Sequence, residues 1–301
     1  MREAQRVYDY KLIEAMAAVV MEGGFERAAR VLHITQSAVS QRVKLLEEQS
    51  GQVLLTRSAP PSATTAGEAV LAHYLKVAQL EADLKRALTG PSRKGFHSLA
   101  IGVNADSLAT WLIPSIASFL MEERLLIDFR VDDQEETLRF LRSGETAGCI
   151  TSQTEKVQGC SMVYLGKMVY HMVSTPTFEA EWFPSGFDLA HARKAPAVLF
   201  NRRDDLHKKA LSSWFKGETS RFAHHLVPSS RSVVTTILSG AGYGLVPMEQ
   251  AREHLDSGAL VDVVPGRFMD VPLYWQSWRL KPEVLARFSD HLVSSARQCL
   301  S

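Results

Sequence analysis

Apolar positions near the start of the chain recur at helical spacing. Leu12, Ile13, Met16, Val19 and Val20 share one face, and Gly23-Gly24 stops the helix they define. A second short helix is expected from about Phe25 to Leu32. A brief turn, His33-Ile34-Thr35, leads into a third helix from Gln36 to about Gln49, ended by Gly51. Val53 to Arg57 reads as a short strand, and Ala59-Pro60-Pro61-Ser62 breaks the chain. Thr65-Ala66-Gly67-Glu68 reads as a capping box opening a helix that extends to about Leu88. Its polar face is Lys76, Gln79, Asp83 and Arg86. Val70, Leu71, Tyr74, Leu75, Val77, Ala78 and Leu84 form an arc wide enough for two packing partners, so Leu71, Leu75 and Ala78 are candidates for a dimer contact.

Gly90-Pro91-Ser92-Arg93-Lys94-Gly95 is the clearest linker. Beyond it strands alternate with helices. Strands are expected at Leu99–Val103, Leu125–Val131, Gly148–Thr151, Met168–Val173, Ala197–Phe200, Leu245-Val246, Leu260–Val264 and Leu273–Trp278. A helical stripe runs from Leu108 to Leu120 with a kink or restart at Pro114, and Pro282 opens a final helix. This rhythm predicts α/β domains with mostly parallel sheets, and about 200 residues of it suit two small lobes better than one sheet. No internal repeat or low-complexity segment is visible.

The chain has 301 residues, 46% apolar and 22% charged, with a formal net charge of +1. These are ordinary values for globular domains and give no overall basic footprint. The opening MREAQRVYDY is polar and mixed in sign, which predicts no secretory leader and a cytoplasmic protein without membrane association. Cys149, Cys160 and Cys299 make neither a disulfide framework nor a metal knuckle. His171, His224 and His225 lack ligand partners at metal spacing, and no GxSxG or HExxH motif is present, so neither a cofactor nor an enzymatic role is expected. Ser239 to Gly244 is glycine-rich, but a helix precedes it and a strand follows. That order suits a helix exit better than a phosphate loop. Trp111, Trp275 and Trp278 read as core.

The strongest chemical signal lies between Phe25 and Arg57. Ala28 and Ala29 let one helix cross another closely. Ala38, Val39, Val43 and Leu46 would face inward, leaving Gln36, Ser37, Ser40, Gln41, Arg42 and Lys44 outward. Gln pairs bidentately with adenine and Arg with guanine, and Thr35 is the expected N-cap of a helix whose positive end suits a phosphate. Five basic residues (Arg27, Arg30, Arg42, Lys44, Arg57) against Glu26, Glu47 and Glu48 give a local charge of +2. So modest an attraction favours two copies per site.

The motif AAxxLHxTQSAVSQxxxxLE, followed by Leu54-Leu55-Thr56-Arg57 and Ala63-Thr64-Thr65-Ala66-Gly67, resembles the winged helix-turn-helix of LysR-type transcription regulators. The resemblance implies a winged helix-turn-helix DNA-binding domain over residues 1–62 and a linker or dimerisation helix over 63–90. It also implies an α/β effector domain of two periplasmic-binding-protein-like lobes, 95–165 with 268–301 and 166–267. Its expected DNA-binding residues are Thr35, Gln36, Ser37, Ser40, Gln41, Arg42, Lys44 and Arg57, on double-stranded DNA with an inverted-repeat site. The implied partners are a second copy of the chain, as homodimer or homotetramer, and RNA polymerase. Asn104 to Trp111, Asn201 to Asp205 and Leu273-Tyr274-Trp275 are similar to the branch that regulates basic amino-acid export. That similarity implies lysine or arginine as effector, with Ser107 and Thr110 for its carboxylate. Asp106, Asp132, Glu135, Thr151, Asp204 and Asp205 complete the expected effector site, the carboxylates meeting the ligand's cationic groups. Rival readings are an enzyme or transport-type binding protein, a nucleoid-type protein or replication inhibitor, and a regulator with a different amino-acid effector.

Overall fold

The computed structural model describes residues 8–56, 58–89, 96–132, 137–216 and 222–300; for 79, 82, 83, 85–89 and 132 it describes only the backbone. Arg57, Glu135 and the linker at 90–95 lie outside the described residues. One compact unit comprises residues 1–95 with 139–147, and the other 96–138 with 148–301.

The first unit begins with three helices, α1 (Tyr10–Glu22), α2 (Phe25–Val31) and α3 (Gln36–Ser50). Asp9 caps α1 by accepting from the Lys11 N–H, and Gly23 and Gly51 close α1 and α3 in the left-handed region. His33 makes the α2–α3 turn with φ 54°. Met16, Val19, Val39 and Leu46 lie at the centre of the shared core, and Ala28 is fully buried where α2 meets its neighbours.

The described residues 53–56 after α3 form no strand. They hold a single antiparallel bridge, Leu55 to Ala63, because Leu54 and Leu55 are buried against the helices and do not alternate with solvent. α4 (Thr65–Thr89) follows. Its cap is Thr64, one residue before the expected Thr65: the Thr64 hydroxyl oxygen accepts from Gly67 N–H at 3.1 Å and donates to the Val53 carbonyl at 2.7 Å. Gly67 is required here, since a Cβ would lie 2.0 Å from the Leu54 carbonyl oxygen. Leu71 is buried within the chain itself, whereas Leu75 and Ala78 are half-buried and Leu80 and Leu84 are exposed.

From residue 96 the chain runs β1 (His97–Asn104), α5 (Ala105–Ala109), α6 (Leu112–Glu122), β2 (Leu125–Asp132), α7 (Thr137–Arg142), β3 (Gly148–Thr151), β4 (Cys160–Ser174), α8 (Pro176–Trp182), α9 (Leu189–Ala192), β5 (Ala197–Leu199), α10 (Leu206–Trp214), β6 (His224–Leu226), α11 (Ser230–Leu238), β7 (Gly244–Pro247), α12 (Met248–Asp256), β8 (Val261–Asp262), β9 (Met269–Trp278) and α13 (Glu283–Cys299), with α7 from Arg139 onward belonging to the first unit and the rest to the second. The expected helix from Leu108 to Leu120 is two helices, with Pro114 inside the first turn of α6.

Seven strands form one curled sheet in the order β2-β1-β3-β9-β4-β7, with β8 also on β4; β5 and β6 pair separately. The sheet is mixed and continuous, not two mostly parallel ones. β1 is parallel to β2 and β3, but β9 runs antiparallel to β3 and β4, and β4 antiparallel to β7 and β8. Only the expected parallel pairing fails, and β4 and β9 are also longer than their apolar cores suggest. They pair from Cys160–Trp278 to Tyr170–Met269, interrupted only by an irregularity between Tyr164 and Gly166. Trp111, Trp275 and Trp278 are buried, and so are Cys149 and Cys160; Cys299 is exposed, and none of the three is in a disulfide. The glycine-rich run is a helix exit: α11 ends at Leu238, Gly240 is left-handed, and Gly242 lies against the Pro196 carbonyl.

Candidate functional site

On α3, Gln36, Ser37, Ser40, Gln41 and Lys44 are exposed, and a turn of about 100° per residue places them on one face. Thr35 caps the helix, its hydroxyl accepting from Ala38 N–H at 3.2 Å and lying 3.0 Å from the Ser37 hydroxyl. Arg42 departs from expectation. It is half-buried and lies nearly opposite the exposed strip, on the side that carries Val39, Val43 and Leu46. Glu47 has a role that charge counting missed: its carboxylate accepts from Leu54 N–H at 2.8 Å and Leu55 N–H at 3.3 Å, latching the following segment to α3.

In the α/β unit a cavity of about 350 Å³ opens at the carboxyl ends of β1, β3, β5 and β7, the ends at which open α/β sheets take ligands. Ala105 and Asp106 follow β1, Ser152 to Thr154 follow β3, Phe200 to Lys209 include the start of α10, and Pro247 ends β7. Asp106, Asp204, Asp205 and Asp270 face Arg203 and Lys209 around it, an excess of negative charge among the lining residues.

The four carboxylates are not equivalent. Tyr170 Oη donates to Asp106 Oδ2 at 2.8 Å. Asp204 is committed to the backbone, its two oxygens accepting from Phe200 N–H and Leu206 N–H, each at 3.1 Å. Asp205 pairs with Lys209 at 2.9 Å one helical turn on, and Asp270 with Lys167 at 2.5 Å. Of the expected effector residues the cavity thus gathers Asp106, Asp204 and Asp205. Ser107, Thr110 and Thr151 are not among its lining residues, and the Asp132 side chain lies outside what the structure describes. Ser107 is buried, accepting from Trp111 Nε1 at 3.1 Å. The Thr110 hydroxyl donates to the Asp106 carbonyl at 2.7 Å, and buried Thr151 accepts from Gln153 N–H at 3.1 Å. These hydroxyls take part in the turns after β1 and β3.

Sequence reasoning missed Tyr170, Arg203 and His207. Tyr170 sits in an apolar strand run and reads as core, and His207 is an unremarkable early helical residue; pairing and topology alone bring them to the cavity. His207 is fully buried, and burial, with a smaller push from His224, lowers its pKa to about 3, so it is neutral.

A family model described as "Bacterial regulatory helix-turn-helix protein, lysR family" matches residues 10–68, and the "LysR substrate binding domain" matches 94–297. The HTH-type transcriptional regulator ArgP of Pseudomonas aeruginosa is 43% identical over 291 residues, 96% of each chain. The crystal structure of ArgP from Mycobacterium tuberculosis aligns with TM-score 0.87 at 37% identity, covering 96% of this chain and 98% of that one. Full-length LysG from Corynebacterium glutamicum with bound effector Arg aligns with TM-score 0.80 at 34% identity, covering 97% and 99%. The chain therefore belongs to the LysR family of DNA-binding transcription regulators, and within it resembles ArgP and LysG.

Proposed function

We propose that this regulator senses a basic amino acid, lysine or arginine, in the cavity at the strand ends, and in response controls a gene for a basic amino-acid exporter. The observation that carries the reading is Asp106, a cavity carboxylate oriented by Tyr170 where carboxylates outnumber cations. The bound arginine of the C. glutamicum LysG structure supports it. The ligand's cationic end meets Asp106, and its carboxylate meets Arg203 and the Ser152–Thr154 segment, since Ser107 and Thr110 are committed elsewhere. Binding biases a conformational equilibrium; no bond is made or broken.

At the DNA end, a dimer in the cytoplasm places α3 of each copy in successive major grooves of an inverted repeat. Gln36, Ser37, Ser40 and Gln41 read bases, and Lys44 and Arg57 meet phosphates. α4 supplies the dimer contact through Leu80 and Leu84, with Leu75 and Ala78 at its border; Leu71, buried in its own chain, holds the fold instead. Two dimers then build a tetramer that acts on RNA polymerase at the promoter.

Calorimetry on the full-length protein with lysine, arginine and norleucine tests the effector reading. Lysine or arginine should bind saturably, norleucine at least tenfold more weakly, and Asp106→Asn should erase most of that preference. Equal affinity for norleucine and lysine would remove the carboxylate argument.

A further inference from the structure

His207 lines the cavity, yet its side chain is not occupied as a buried polar group ordinarily is. Its Nε2 lies 3.3 Å from Tyr243 Oη, and Tyr243 Oη donates its one proton to the Ala192 carbonyl at 2.9 Å. Burial pushes the Tyr243 pKa up, so that proton stays in place. A hydroxyl oxygen whose proton is spent can only accept from a neighbouring N–H. Nε2 is therefore the protonated ring nitrogen, and in the neutral ring Nδ1 carries a bare lone pair. Nδ1 is buried and has no hydrogen-bond partner among the described residues.

An orphaned acceptor in a closed surround is costly, and native proteins keep few of them. Phe222 and Tyr243 pack on the ring at centroid distances of 4.8 and 5.2 Å, and His207 itself is a lining residue of the cavity, from which a donor can come. Of the cationic side chains that line the cavity, Lys209 pairs with Asp205 at 2.9 Å.

We propose that His207 is a specificity residue of this cavity, its Nδ1 lone pair accepting a hydrogen bond from the nitrogen-rich end of a cationic ligand. The proposal rests on the basic-amino-acid reading above. A neutral ring suits this role: it accepts from an ammonium or guanidinium without repelling it. It also rejects ligands that end in a methyl group, which would leave the acceptor unpaired, or in a carboxylate, which offers no donor. His207 sits in the first turn of α10, where the positive helix end further disfavours a charged ring.

The test is calorimetry on the full-length wild type, His207→Phe and His207→Asn with lysine, arginine and norleucine. Phe keeps the ring and removes the acceptor. Asn offers an amide oxygen near the place of Nδ1. His207→Phe should weaken the tighter of lysine and arginine about tenfold, roughly 1.4 kcal/mol, and leave norleucine unchanged. His207→Asn should stay within about threefold of wild type on the same scale. In wild-type protein carrying ¹⁵N-histidine, the His207 Nδ1 resonance should move from that of a bare acceptor toward a hydrogen-bonded one on saturation. Wild-type affinity in His207→Phe, equal loss in both variants, or an unmoved Nδ1 resonance would each overturn the proposal while leaving the effector reading standing. Failure of the wild type to bind either cation would end both.

Discussion

The exposed strip of α3 and the cavity of the α/β unit are both polar, but they are assembled by opposite means. On α3 five polar side chains fall within nine residues, and one helix orders them. The cavity draws its wall from segments between Ala105 and Pro272, and no two of its key groups, Asp106, Tyr170 and His207, share an element. The first is local and stands on the packing of the opposite helix face. The second is non-local and stands on strand order. Damage to the helical core should therefore disable the strip as a whole, whereas cavity residues should fail one at a time.

The sharpest way to break that contrast is Leu46→Ala. Leu46 is 1% exposed at the centre of the helical core. Truncation should cost about 2–5 kcal/mol and abolish DNA binding near the new melting point, since every residue of the strip rides on that face. Lysine or arginine affinity in the α/β unit should not change. Calorimetry beside a DNA-binding isotherm measures both, and a parallel loss of effector affinity would refute the independence of the two sites.

The same contrast explains what could be read from the residues. Helical periodicity, the Thr35 cap and the Gly23 and Gly51 stops place α1 to α3 within a residue or two, because those signals act over one turn. The strands of the α/β unit were found at their apolar centres, but β4 and β9 extend well beyond them. Residues paired inside a continuous sheet need no alternation to be strand. Asp106 was legible as the acid after the first strand. Ser107 and Thr110 were legible only as polar residues beside it, and nothing in their identity says that they close a turn. Tyr170 and His207 become visible only with the pairing partners of β4 and the position of α10.

Glu47→Ala probes the strip's support without touching its surface. The carboxylate accepts two backbone N–H bonds from Leu54 and Leu55. Bonds to a charged acceptor contribute about 1.5–3 kcal/mol, so thermal melting should show a loss in that range, with Glu47→Gln recovering part of it. DNA affinity should fall at every sequence alike. A relaxed base preference in Glu47→Ala would mean that Glu47 faces DNA and the latch is incidental.

In the cavity the matching probe is Tyr170→Phe. It removes one hydrogen bond to Asp106 and keeps the ring, which is buried in β4. One such bond contributes about 1–1.5 kcal/mol, so lysine or arginine affinity should fall about fivefold to tenfold as the carboxylate loses its fixed orientation. Norleucine should be indifferent. An equal loss for norleucine would point to a collapsed cavity wall instead of a misplaced Asp106.

Lys44→Gln carries the smallest stability effect and the finest test of the strip. The Lys44 ammonium lies 3.7 Å from Glu48, and the two side chains are 78% and 59% exposed. Such a pair contributes about 0.3–0.5 kcal/mol in a helix and is screened by salt, so the melting temperature should hardly move. Its position on the face of Gln36, Ser40 and Gln41 is what matters, because on the proposed DNA-facing strip a cation would meet the DNA backbone and release a counterion. Losing one phosphate contact should weaken binding at all sequences by a similar factor and reduce the slope of log affinity against log salt by about 1 per subunit. Arg42, half-buried on the opposite side, should leave that slope unchanged when made Gln. A salt slope that responds to Arg42→Gln and ignores Lys44→Gln would reverse the assignment of the two faces of α3.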